Sequence, residues 1–148
     1  MQRDSLSSVA KSVLVGQDLK VFSALMIVYG ALEKQRNDLA HGCFGYAPDN
    51  EEYIIWIELK NHLSFQTRVI SSERRGDSIT GDRHIELKKN MFVYQMQDFD
   101  RLYNDMNEFW QAIFWFNGYL REPRNPRRIE EFKNLQNFSQ IREVLSRL

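Results

Sequence analysis

The sequence predicts a mainly helical domain that carries a small antiparallel β insertion. Three observations predict it. Apolar residues recur at three- and four-residue spacing over residues 19 to 40 and again over 98 to 120, the period of an α-helix with one buried face. Between these stretches, residues 43 to 96 lose that period and hold short runs of β-branched and aromatic side chains. The chain has 148 residues, 43% hydrophobic and 27% charged, which suits a single domain over 1–148 with a core of its own.

Each element has its own local reason. Residues 4 to 15 read as a short helix with Leu6, Val9, Val13 and Leu14 on its apolar side. Gly16-Gln17-Asp18 breaks it and places Asp18 to cap the next helix. That helix runs from about Leu19 to about Ala40, with Val21, Leu25, Val28, Leu32 and Leu39 as its stripe. Gly42 stands where a C-terminal cap glycine belongs. In the insertion, "EYIIWIEL" reads as a strand, and "SFQTRVIS" and "MFVYQM" as weaker strands. "SERRGDSITGDRH" is polar and contains glycine, so it reads as a loop.

The second long helix, about Asp98 to Leu120, has a broad apolar face built on Phe99, Leu102, Tyr103, Met106, Phe109, Trp110, Ile113, Phe116 and Leu120. Phe114 and Trp115 extend that face around the helix. So wide a face points to core plus a dimer interface, because a helix with one free side keeps that side polar. Pro123 and Pro126 end the pattern. "RRIEEFKNLQ" and "SQIREVLSRL" are short C-terminal helices. Asn125 is placed to cap the first, with Pro126 in its first turn, and Ser139 to cap the second.

Composition excludes some functions. Lys+Arg and Asp+Glu are 20 each, so nucleic-acid binding would need a local basic patch and not the overall field. The one cysteine, Cys43, allows no intramolecular disulfide and fits a reducing compartment. The N-terminus lacks the apolar core of a signal peptide, and the most apolar run, "VFSALMIVYGAL", is about 12 residues long, against roughly 20 for a membrane span. The expectation is a cytoplasmic protein without a membrane segment. His41 and Cys43 lie two apart with no second Cys/His pair, so neither a metal nor a cofactor is expected. His62 and His84 fall in polar stretches and read as surface histidines in loops.

The candidate site is "EKQRNDLAHGCFGY", residues 33 to 46. Arg36 offers a planar fork of donors suited to phosphate. His41 exchanges a proton near neutral pH, as acid–base catalysis requires. Asn37, four residues before His41, shares its helix face and is placed to orient the imidazole or bind a substrate oxygen. At 100° per residue, Arg36 falls within about 20° of Leu25, inside the apolar stripe, and His41 lies roughly 140° away. A charge on an apolar face needs a partner. Asp98, Asp100 or Glu108 would supply one. The alternative is a second copy of the helix across a two-fold axis, which would frame a cleft with two arginines and two histidines. The plainer reading is a helix end whose histidine binds a last-turn carbonyl and whose arginine pairs with an acid. A second basic stretch, "REPRNPRR", brings Arg121, Arg124, Arg127 and Arg128 together without an acid run. It reads either as an RNA-backbone contact or as a solvated turn. Arg74, Arg75 and Arg83 invite the same pair of readings.

R-N-x-x-x-H, at Arg36, Asn37 and His41, resembles the R-x(4–6)-H signature of the HEPN superfamily, in which a polar residue usually follows the arginine. The resemblance implies a HEPN-like helical bundle, usually dimeric, with the motif near a helix end facing the dimer axis. Many members are metal-independent endoribonucleases of toxin–antitoxin, abortive-infection and phage-defence systems, and others are non-catalytic binding or scaffold modules. On this chain that implies His41 as acid and base, Arg36 on phosphate and Asn37 positioning. The implied partners are a second copy, an RNA substrate, and an antitoxin or other protein. The wider stretch also looks like a group of bacterial proteins with RN-x-LAHG followed by strands. Two features depart from the minimal bundle: the β insertion after the motif helix and the short N-terminal helix.

Overall fold

The helical periods of the sequence become six α-helices among the described residues, and the β-rich stretches a three-stranded sheet. The structure, a computed structural model, describes residues 2–47, 50–76 and 88–148. Of the sequence-based expectations, His84, Arg83 and the loop from residue 77 on lie outside the described residues. The chain forms two compact units, Met1–Glu33 with Tyr103–Leu148, and Lys34–Leu102.

The first unit is helical. It contains α1 (Gln2–Val13), most of α2 (Gly16–Ala40) and of α4 (Met96–Arg121), α5 (Pro126–Leu135) and α6 (Ser139–Leu145). Val21, Ala24, Leu25, Val28 and Leu32 are buried along α2, which is the predicted stripe. Ala112 and Phe116 of α4, Phe132 and Leu135 of α5, and Ile141 of α6 complete that core. The α4 aromatics divide. Trp115 stacks on Phe138, and Phe116 and Tyr119 both stack on Phe132, Tyr119 at 4.1 Å between ring centres. Tyr103, Trp110 and Phe114 stay exposed.

Two of the expected N-terminal caps are not formed. α2 begins at Gly16, whose φ of +57° needs no Cβ, so Asp18 lies inside the first turn and does not cap. It faces Tyr119 instead, whose phenol is pushed up first by burial and then by the Asp18 carboxylate. Asn125 does cap α5, accepting from the Arg127 amide at 3.1 Å with Pro126 in the first turn. Ser139 is not a cap: α6 starts on it, Phe138 holds the cap position, and no side-chain cap bond forms.

The second unit holds an antiparallel sheet in the order β1 (Gly42–Ala47), β2 (Asn50–Glu58), β3 (Met91–Gln95). β2 and β3 are the predicted "EYIIWIEL" and "MFVYQM". "SFQTRVIS" is corrected: it lies in a helix, α3 (Leu59–Arg75), which also takes residues 72–75 of the expected loop. Thr67 and Ser71 donate back to the carbonyls four residues earlier, so hydroxyls that favour strands elsewhere are accommodated within the helix. Gly76 ends α3 at φ +74°, its amide bonded to Glu73 O at 3.0 Å. At the start of α4 the Asp98 carboxylate accepts from the Gln95 amide at 2.9 Å, half of a capping box. No helix among the described residues is long and apolar enough to cross a membrane.

Candidate functional site

The end of α2 is built around Trp56. A helix leaves its last carbonyls without internal donors. The Trp56 indole, buried in the sheet, reaches across and donates to the Leu39 carbonyl at 3.2 Å. It does so by lying over Gly42, where an added Cβ would sit 1.8 Å from the indole nitrogen. Gly42 is therefore not the left-handed cap expected from the sequence. It is the first residue of β1, paired with Glu58, and it is glycine because the indole occupies the space of a side chain. The Leu59 amide donates to the His41 carbonyl at 3.1 Å and fixes the turn from the other side.

On this frame the structure brings Arg36, Asn37 and His41 to one helix end. Arg36 is exposed, contrary to its expected place in the buried stripe, which among the described residues stops at Leu32 and resumes only as a half-buried Leu39. Among the described residues no ion pair joins it to Asp98, Asp100 or Glu108. Its guanidinium donates to Asn37 Oδ1 at 3.0 Å, which fixes one edge of the fork and leaves the other donors to solvent. Asn37 is half-buried, and its carbonyl accepts from the His41 amide at 3.1 Å. Among the described residues no side-chain hydrogen bond joins Asn37 to His41, so the amide orients the arginine and not the imidazole. His41 is exposed, in the turn between α2 and β1. Together these groups offer planar donors for an anionic oxygen and an accessible proton carrier.

An aromatic surface follows directly in the chain, and the sequence reading missed it. Phe44, Trp56 and Phe92 are paired across the three strands, so they share one face of the sheet. Tyr46, Ile54 and Tyr94 form the next row of that face. Trp56 is buried and meets Phe92 edge-on at 5.4 Å, while Phe99 of α4 packs on Phe44 and Tyr94. Phe44, Tyr46 and Phe92 are each more than half exposed. The signal was present as alternation: Phe44-x-Tyr46 and Phe92-x-Tyr94 put aromatics on one side of two strands.

The second basic stretch is different. Arg127 donates to Glu131 at 3.0 Å and Arg128 at 2.7 Å, and Arg128 also lies 4.0 Å from Glu122. The hydrogen bond from Arg128 holds the Glu131 carboxyl below the usual carboxylate range, helped by Arg127 and opposed by burial. The stretch does have a compensating acid, one turn further on. Arg121 and Arg124 are exposed at the end of α4 and in the turn after it.

An open apolar groove of about 670 Å³ lies in the helical unit among Leu6, Val9, Val13, Met26, Phe109 and Ile113, and none of the candidate site residues lines it. His62 sits half-buried in the first turn of α3, not in a loop. Among the described residues no three His, Cys, Asp or Glu side chains are grouped to hold a metal ion. No protein-family model, curated protein or solved structure matches the chain.

Proposed function

We propose that this protein binds single-stranded RNA at the end of α2 and on the aromatic face that follows, and cleaves it as a metal-independent endoribonuclease of the toxin or phage-defence type. The observation that carries this reading is the exposure of both Arg36 and His41 at one helix end, outside any ion pair among the described residues. In the reaction, His41 takes the proton of a ribose 2′-hydroxyl, and that oxygen attacks the adjacent phosphorus. The Arg36 guanidinium, steered by Asn37, stabilises the added negative charge. A second histidine protonates the departing 5′-oxygen, leaving a 2′,3′-cyclic phosphate and a 5′-hydroxyl. One chain supplies one such histidine, so the active species is a homodimer with a composite Arg/His cleft. Phe44, Tyr46 and Phe92 stack bases without regard to sequence, at about 1–3 kcal/mol per base.

The test is cleavage of a mixed RNA pool by the purified chain with a chelator present, beside His41→Ala and Arg36→Ala. The expected result is cleavage by wild type alone, leaving cyclic phosphate ends. Equal cleavage by all three overturns the mechanism. Absence of cleavage by any of them, with RNA still bound, turns the site into a binding surface. A second reading, a non-catalytic interaction module, is favoured by a different observation, the exposed aromatic edge of α4.

A further inference from the structure

The exposed edge of α4 has a pattern that buried packing does not explain. Tyr103, Asn107, Trp110, Phe114, Asn117 and Arg121 are all exposed and follow one another at spacings of four, three, four, three and four residues. That alternation is the narrow seam of a coiled coil, and it lies apart from the face that buries Ala112 and Phe116 in the core. Tyr103 is 66%, Trp110 69% and Phe114 65% exposed, so the three rings are left largely in water. Trp, Tyr and Arg are the residues that dominate interface energetics.

The seam is also complementary to itself when reversed. Trp110 and Phe114 lie two residues either side of position 112, Asn107 and Asn117 five, and Tyr103 and Arg121 nine. Turned about a two-fold axis at that level, an aromatic ring meets an aromatic ring, an amide meets an amide, and a guanidinium meets a phenol ring. The parallel alternative places Arg121 against Arg121 of the other copy, like charge on like. The area is also sufficient. At about 150–250 Å² for each large aromatic, the three exposed rings offer roughly 400 Å² per copy. With the two amides and the arginine, the seam offers roughly 600–700 Å² per copy, enough to reach the lower end of stable interfaces at about 1,200 Å² in total.

From this we infer that α4 pairs antiparallel with α4 of a second copy, with Trp110 against Phe114, Asn107 against Asn117 and Tyr103 against Arg121. The paired amides fix register, as polar residues in such seams do. The pairing uses only the helical unit and does not rest on the RNA reading.

The test is sedimentation equilibrium of the full chain from about 1 to 100 µM, the concentrations over which an interface of this size associates. Circular dichroism of each variant confirms the fold. Wild type is expected to dimerise. Trp110→Ala is expected to weaken the dimer about 30-fold or more, as loss of an anchor does. Tyr103→Arg is expected to weaken it about 10-fold by setting arginine against arginine twice, and Tyr103→Arg with Arg121→Glu to return to within about threefold of wild type. Within one chain these two positions are about 27 Å apart along the helix, so rescue reports contact between copies. A folded wild type that stays monomeric overturns the inference, as does a dimer indifferent to both single variants. A double variant no better than Tyr103→Arg overturns the antiparallel register. A dimer indifferent to these variants overturns the α4 pairing alone and leaves the homodimeric ribonuclease reading standing, whereas a monomer that still cleaves RNA overturns the pairing and the composite cleft but not the cleavage itself.

Discussion

Two arginine-bearing helix ends in this chain look alike in sequence and are used in opposite ways. After α4, Arg127 and Arg128 close on Glu131, and Arg128 lies against α4 where Gly118 leaves room for it, 3.0 Å from the position of an added Cβ. At the end of α2, Arg36 holds, among the described residues, its neighbour Asn37 and remains exposed. The first arrangement joins two helices. The second leaves charge facing water on a frame held by other residues, Trp56 and Gly42. A guanidinium is structural when a carboxylate one turn away accepts a charged hydrogen bond from it, and it is available for a ligand when only a neutral amide does.

The largest effect is expected where the α2 frame is broken. Gly42→Ala puts a methyl group into the Trp56 indole, which must move and release the Leu39 carbonyl. The expected loss is about 2–3 kcal/mol, the range for overpacking a buried site. Urea denaturation measures it, and a variant as stable as wild type shows that Trp56 does not pack over Gly42. Trp56→Phe is expected to cost less, about 1–2 kcal/mol, for one hydrogen bond and a partly filled space. Neither change touches Arg36 or His41, but Trp56 also packs on Phe92 of the aromatic face, so a loss of RNA binding in a still-folded Trp56→Phe protein measures the frame and that face together.

The other helix end is sharpened by pH. Glu131 has a lowered pKa in the folded state, so its contribution is present in full above the unfolded carboxylate value, about 4.3. That contribution is lost as pH falls through the lower folded value. Glu131→Gln is therefore expected to be less stable than wild type at pH 7, with the gap closing as pH drops towards 2. Thermal unfolding of both proteins across that range checks the sign. A gap that widens in acid shows that the Arg127–Glu131–Arg128 cluster does not favour the ionised carboxylate. By contrast, the sequence reading of this stretch as an RNA contact predicts that Arg128→Ala weakens RNA binding with little change in stability. The structure predicts a clear fall in stability instead.

How much of this was legible in the sequence depends on whether the cause was local. α2 and α4 were, because each keeps an apolar helical period over several turns. β2 and β3 were, through their β-branched and aromatic content. α3 was missed because "SFQTRVIS" has a strand's composition, and only the full run from Leu59 to Arg75 restores a helical register. β1 was missed because two glycines in "GCFGYA" suggest a loop, and the strand exists because β2 pairs with it. Gly42 and Gly76 are the same residue type used for different reasons, steric room at one and a left-handed φ at the other, and only the fold distinguishes them. The motif Arg36, Asn37, His41 was visible as residues. Its solvent exposure was not, because the burial of a helix face is decided by what packs against it.

The smallest expected effect on stability belongs to the residues with the largest expected effect on function. Arg36→Ala removes one hydrogen bond between exposed or half-exposed neighbours, and His41→Ala removes a side chain from an exposed turn whose backbone bonds stay in place. Surface changes of this kind stay within about 0.5 kcal/mol of wild type. Both variants should therefore unfold with the wild-type midpoint and slope in urea. If they do, any loss of RNA cleavage belongs to the chemistry of the removed group and not to a damaged fold. Losses of 1 kcal/mol or more would mean instead that Arg36 or His41 supports the α2 terminus, much as Arg128 supports α5. The two helix ends would then be alike after all, and exposure at the end of α2 would no longer mark a ligand site.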